Sequence, residues 1–261
     1  MNNSKLPSTS EEYNYLISTC LSLELYNESY DYCKDLITLN NYILNENERN
    51  LLMKSAKGKL NVYRNGWKTL IDFDNFEGNK QLLPKSLIES KKIFLENFIK
   101  NFCFEIVSIA KKLEKNLKNN NNDNKNDFSN DDEIAKIFYL KLKGDYFRYF
   151  GEVANEDEFA KYKEECRNCY EEAFEMCKEY LEYTSPLFLS VGLNYAIFLY
   201  SLTDELKLAY DKANEVYKQA ILKLVPEQKI PEVENIIKGL EENLAIWKIE
   251  LSDINNNNNN I

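Results

Sequence analysis

Histidine is absent from the 261 residues, which removes the Ser–His, Cys–His and His–metal constellations and leaves only carboxylate or lysine chemistry. No Gly-rich phosphate loop of the P-loop or GxGxxG kind occurs. The abundant carboxylates fall in runs such as EEYNY, NEDEF and YEEAFE, which read as solvated helix faces rather than paired acids. No enzyme and no cofactor are expected. Glycine and proline are also scarce, at seven and five, and apolar residues recur at spacings of three and four. The chain therefore reads as all-α. No stretch reaches the roughly 18 uninterrupted apolar residues of a membrane span, and the polar start MNNSKLPSTSEE has no signal-peptide core. A soluble protein of the cytoplasm is expected, with the nucleus also open to it and no membrane insertion.

Cysteine is sparse as well. Six residues, at 20, 33, 103, 166, 169 and 177, read as free thiols. CRNC invites a zinc reading, but there is no histidine and no second CxxC to complete a ligand set. On a helix Cys166, Cys169, Ala173 and Cys177 share one face, the pattern of a packing stripe. The net charge is −10, so nucleic acid would meet mostly like charge. Any anion-binding site must be a local basic patch.

What is present is a succession of helix patterns, with 44% hydrophobic residues to supply a core. A first helix starts at Ser10, with Glu11 and Glu12 in its first turn and a stripe of Tyr13, Leu16, Ile17, Cys20 and Leu23. A second carries Tyr32, Cys33, Leu36 and Ile37. A third opens at NENE, where Asn45 and Glu48 fit a capping box, and runs to about residue 72. Pro84 fits the first turn of a fourth, whose apolar residues are dense enough to pack on two sides. Residues 116–132, NLKNNNNDNKNDFSNDD, read as an Asn-rich loop insert. IAKIFYLKLKGDYFRYFGEVA follows it, and then helices from about Asp157 to Tyr183, Pro186 to Leu202 and Glu205 to Leu224. A last helix is striped at Val233, Ile237, Leu240, Leu244, Trp247 and Leu251. Residues 1–9 read as a flexible N-terminus, 10–252 as one helical domain and 253–261 as a disordered tail. About nine antiparallel helices, with tetratricopeptide-like hairpins in YEEAFEMCKEY and AYDKANEVYKQAI, suggest an array with a concave face.

The basic residues fall into register. Lys57 and Arg64 are seven residues apart, within about 20° of each other around a helix, and Lys54 and Lys68 extend the stripe. Lys141 and Arg148 repeat the spacing in KLKGDYFRYF, with Tyr149 beside the arginine. Ordinary solvated faces are the plain alternative. A mostly apolar run, SPLFLSVGLNYAIFLYSL, holds one amide, Asn194, and Asn243 repeats the pattern in LEENLAIWKIEL. Such amides serve either as satisfied core groups or as hydrogen-bonding partners for a peptide main chain.

KIFYLKLKGDYFRYFGEVA resembles the signature helix of the 14-3-3 proteins, and ERNLLMKSAKGKLNVYRNGW is similar to that family's third helix in order and spacing. ELYNESYDYCK, LNYAIFLY and ENLAIWK extend the resemblance over about residues 10–250. It implies nine antiparallel helices forming a cup, usually dimeric, that bind phosphoserine or phosphothreonine segments of client proteins without catalysis. Carried over by position, the phosphate pocket is Lys57, Arg64, Arg148 and Tyr149. The peptide groove is Leu193, Asn194, Ile197 and Asn243, approached by Lys141 or Lys143. Departures are Ser201, where the family usually has glutamate, and Gly239, where it usually has leucine. At the implied dimer seam, homo- or heterodimeric, Leu25 and Phe98 replace an arginine–glutamate pair. Gly66 replaces a serine whose phosphorylation splits the dimer in many members. A helical scaffold for unphosphorylated segments remains the alternative reading.

Overall fold

The structure, a computed structural model, describes residues 7–75, 84–119, 130–224 and 230–258. Among these residues the chain is all-α, with nine helices: α1 Ser10–Ser22, α2 Tyr26–Leu39, α3 Glu46–Asn75, α4 Lys85–Asn119, α5 Asn130–Gly151, α6 Glu156–Tyr180, α7 Pro186–Thr203, α8 Leu206–Lys223 and α9 Pro231–Asn258. They group into two compact units. One carries α1–α4 together with Val153–Asn155, and the other carries α5–α9.

Local sequence starts these helices where hydrogen-bonding side chains stand ready. Thr9 caps α1 by accepting from the Glu12 N–H, and the Glu12 carboxylate reaches back to the Thr9 N–H at 3.3 Å. The same reciprocal box opens α3. Asn45 N–H donates to Glu48 Oε2 and Glu48 N–H to Asn45 Oδ1, both at 3.0 Å. Each box satisfies backbone donors that a helix start leaves open, a contribution of about 1 kcal/mol.

In the first unit α1, α2 and α3 pack on one another and α4 packs on α3. Tyr13, Ile17, Cys33, Leu36 and Ile37 are buried as the periodicity predicts, but Leu23 is not, because α1 stops one residue before it. α2 and α3 approach closely at Gly58, where a Cβ would clash with the Tyr26 ring. α4 packs on α3 and sends Phe102 against Tyr30 and Phe98 against Tyr63, while Leu87, Ile93 and Phe94 are exposed, so a second packed side is not formed among the described residues.

In the second unit α5 is the buried spine, with nearly every side chain from Ala135 to Phe150 inside. α6 and α7 both pack on it, and α8 and α9 pack on α7. Cys166, Cys169, Ala173 and Cys177 line one buried face of α6, the packing stripe the spacing predicts. α7 is long and apolar enough to cross a membrane on length and composition alone. Here it lies among α5, α6, α8 and α9 with Phe188, Leu189, Val191, Tyr195, Phe198 and Leu199 buried.

Two expectations about Asn-rich segments are corrected. Residues 116–119 close α4, residues 130–132 open α5, and residues 253–258 continue α9, where loop and tail are expected. A formed helix extends at one hydrogen bond per residue, and asparagine's modest propensity penalty does not stop it. Residues 1–6, 120–129 and 259–261 of the expected terminus, insert and tail lie outside the described residues.

Candidate functional site

α5 carries four charged side chains into the interior: Lys141, Lys143, Asp145 and Arg148 are each at most 7% exposed. Buried ions are costly unless they are paired and hydrogen-bonded, and Asp145 organises that pairing. Its Oδ2 accepts from Lys141 Nζ at 2.6 Å. Its Oδ1 accepts from the Tyr170 hydroxyl at 2.7 Å and from Asn194 Nδ2 at 2.8 Å. Three helices, α5, α6 and α7, thus converge on one carboxylate.

Arg148, one turn further along α5, joins the same network. Its Nε donates to the Tyr170 oxygen at 3.3 Å and its Nη1 to Glu152 Oε1 at 3.2 Å, and its guanidinium lies 4.5 Å from the centre of the Tyr149 ring. Nη2 donates to no group among the described residues. The arginine is thereby oriented from three sides with one edge of its fork left over.

Gly144 makes this convergence sterically feasible. A Cβ at that position would come within 2.9–3.0 Å of the Tyr170 ring, so the glycine lets α6 approach closely enough for the phenol to reach Asp145. Cys166, also on α6, donates its thiol to the Gly144 carbonyl at 3.4 Å.

The electrostatics follow from the geometry. Burial opposes ionisation of Asp145, but the charges of Lys141 and Arg148 and the hydrogen bonds from Lys141 and Tyr170 outweigh it. The carboxyl is held below its ordinary value. Burial, then the neighbouring Asp145 charge, push the Tyr170 phenol well up, so it stays protonated and remains a donor. Burial disfavours the Arg148 cation, yet Tyr170, Tyr149, Asp145 and Glu152 together raise its pKa above the ordinary arginine value.

Among the residues picked out by sequence, the structure brings together Lys141, Arg148, Tyr149 and Asn194. Of the two lysines expected to approach a ligand, Lys141 has its ammonium paired with Asp145 and Lys143 is buried on the same helix. Leu193 and Ile197 flank Asn194 on α7 and are part-exposed, as is Asn243 on α9. Asn243 Nδ2 donates to the Gly239 carbonyl at 2.7 Å. In the first unit Lys57 is exposed on α3 without a hydrogen-bond or ion-pair partner among the described residues, whereas Arg64 is part-buried and donates from Nη1 to Asn61 Oδ1 at 3.1 Å. Leu25 is exposed at the start of α2, and Phe98 is stacked on Tyr63 with ring centres 3.5 Å apart. Asp145 and Tyr170 are the members that sequence reasoning missed. Asp145 carried one legible signal, its place four residues after Lys141 in KLKGDYFRYF.

The sequence pattern of the 14-3-3 protein family matches residues 16–248 of the chain. The chain belongs to the 14-3-3 family. Among its relatives, 14-3-3 protein homolog 2 of Schistosoma mansoni is 31% identical over 213 residues, 80% of this chain and 92% of that protein. The human 14-3-3 protein eta is 29% identical over 235 residues, 88% of this chain and 90% of that protein. Identities near 30% over nearly the whole length mark a divergent member of the 14-3-3 proteins. They are adaptors that bind phosphorylated segments through basic side-chain clusters and carry out no catalysis themselves.

Proposed function

We propose that this protein binds phosphoserine- or phosphothreonine-bearing segments of client proteins and regulates those clients as an adaptor. The observation that carries the reading is Arg148, buried, held charged by its surroundings and fixed by Tyr170 and Glu152 with Nη2 uncommitted. A guanidinium prepared in this way suits a dianionic phosphate, with Tyr149 contributing a hydroxyl from the next position. The family resemblance makes Lys57 and Arg64 of α3 further phosphate-binding candidates. Binding requires no proton transfer and no bond making, so no catalytic group is needed. Charge-assisted hydrogen bonds contribute roughly 1.5–3 kcal/mol each, so loss of the phosphate should cost about one to three orders of magnitude in affinity.

Dimerisation is proposed through the first unit, with Leu25 and Phe98 at a more apolar seam. Replacing both halves of an ion pair by apolar groups is often neutral or stabilising, whereas replacing one half is costly. Leu23, Val62, Ile93 and Phe94, all exposed on the same unit, add apolar surface there. A cytoplasmic setting fits six cysteines that are all free thiols.

Lys57→Glu tests the reading without disturbing the fold, because Lys57 is exposed and partnerless among the described residues. The expected outcome is a loss of at least about tenfold in phosphopeptide affinity, with the helical circular dichroism of wild type. Unchanged affinity would remove Lys57 from the phosphate site.

A further inference from the structure

Only Asp204 and Glu205 join α7 to α8. Asp204 turns the corner in the left-handed region, at φ 58° and ψ 31°, and the Glu205 N–H closes the end of α7 by donating to the Leu199 carbonyl at 2.9 Å. α9 packs on both helices, and its last turns reach this corner. Between them lies an open hollow of about 770 Å³, within the range of about 300–1,000 Å³ typical of ligand sites.

The lining combines two chemistries. Leu206 and Leu208 of α8 and Leu251 and Ile254 of α9 make it apolar, and Leu208 and Ile254 remain 37% and 50% exposed. Leu251 and Ile254 are three residues apart and so share one face of α9. The charged lining is mostly negative, and most of it is engaged. Lys207 donates to Asp211 at 2.8 Å, and Glu205 accepts from Arg167 Nη1 at 3.2 Å. Asp204 differs: its carboxylate is exposed, with no hydrogen bond or ion pair among the described residues. The hollow therefore offers four aliphatic side chains and one uncommitted negative charge.

We propose that this hollow is a second docking site, which takes a short segment of a partner protein in which an arginine stands beside a pair of leucine-like side chains. The aliphatic pair gains burial against Leu206, Leu208, Leu251 and Ile254, and the guanidinium meets the Asp204 carboxylate in the geometry that suits both. Charge decides among occupants. A second copy of the chain carries a net charge of −10 and would bring like charge to a hollow already negative, and an anionic ligand would meet the same repulsion. The proposal does not depend on the phosphopeptide reading, because the segment needs no phosphate and none of Lys57, Arg64, Arg148 and Tyr149 lines the hollow.

The test is fluorescence polarisation of the full chain with a labelled, unphosphorylated peptide built from Arg-Leu-Leu-Ser units, and with two twins in which every arginine is glutamine or every leucine is serine. The parent peptide should bind saturably and at least about fivefold more tightly than either twin. Asp204→Asn removes the charge but keeps a residue that tolerates the left-handed region. It should weaken binding at least about threefold at low salt, by a factor that shrinks as salt is raised. Ile254→Ser, at an exposed site, should weaken it at least about threefold at every salt concentration. A saturating phosphoserine peptide should leave the labelled peptide bound. Equal affinity for parent and twins, unchanged affinity in either variant, or displacement by the phosphoserine peptide overturns the proposal. A sedimentation coefficient that drops in Ile254→Ser without peptide would put a second copy in the hollow, and overturns it too.

Discussion

Replacing Tyr170 by phenylalanine removes one oxygen and, with it, two hydrogen bonds at the centre of the second unit. The donation to Asp145 at 2.7 Å goes to a charged acceptor, worth about 1.5–3 kcal/mol, and the buried Arg148 Nε loses its acceptor as well. Water cannot readily replace the hydroxyl. The ring is wedged against Gly144, and the rings of Tyr195 and Phe198 lie within 5.8 Å and 5.7 Å of its centre. A total cost of about 2–4 kcal/mol follows, or roughly 5–15 °C in melting temperature for a chain of this size. Tyr195→Phe is the internal control. Its hydroxyl donates at 2.9 Å to Glu171, whose side chain is about half exposed, and water can take its place at a cost below about 1 kcal/mol. Urea unfolding followed by circular dichroism measures both variants, provided the slope with denaturant stays constant. A Tyr170→Phe midpoint within about 0.5 kcal/mol of Tyr195→Phe would refute the convergence on Asp145 as an energetic centre.

Asp145→Asn should destabilise by about 3–5 kcal/mol at pH 7, because Lys141 is left as an unpaired buried charge. The folded carboxyl titrates below its unfolded value of about 3.9, so its contribution is complete above that value and is lost as pH falls through the lower folded one. The gap between wild type and Asp145→Asn should therefore narrow only in acid, and a gap that closes between pH 7 and 5 would contradict the assignment. Gly66→Ala should stabilise by about 0.5–1 kcal/mol in thermal melts, since the new methyl meets Leu95 Cδ1 at an ordinary 3.8 Å and the helix interior loses a glycine. Gly144→Ala should do the opposite, costing about 1–3 kcal/mol by overpacking against Tyr170. In analytical ultracentrifugation at micromolar concentration the protein should sediment as a dimer and Leu25→Arg should weaken it at least about tenfold, whereas a strictly monomeric wild type would refute the apolar seam.

The helices were legible where pattern and chemistry agreed. The box at Asn45 and Glu48, the buried stripes of α2 and α6, and proline at the start of α7 all follow from local rules. The Asn-rich edges of α4, α5 and α9 were not legible, because composition alone does not reveal that a neighbouring helix has already met the nucleation cost. Lys141 shows the limit for the site. Spacing correctly put it in line with Arg148, but a lysine four residues before an aspartate reads as a solvated pair until the depth of α5 is known. Tyr170 is one of 18 tyrosines, and nothing local marks it. Its role comes from the close approach of α6 at Gly144, a tertiary contact that no periodicity in either segment encodes.

The central claim is that a phosphate on the ligand is what this site reads. Titration of one extended serine peptide, in phosphorylated and plain forms, against the wild-type protein by fluorescence polarisation tests it most directly. The account predicts that the phosphorylated form binds tighter by at least about tenfold, with the difference shrinking as salt is raised. Equal affinity for the two forms would contradict it.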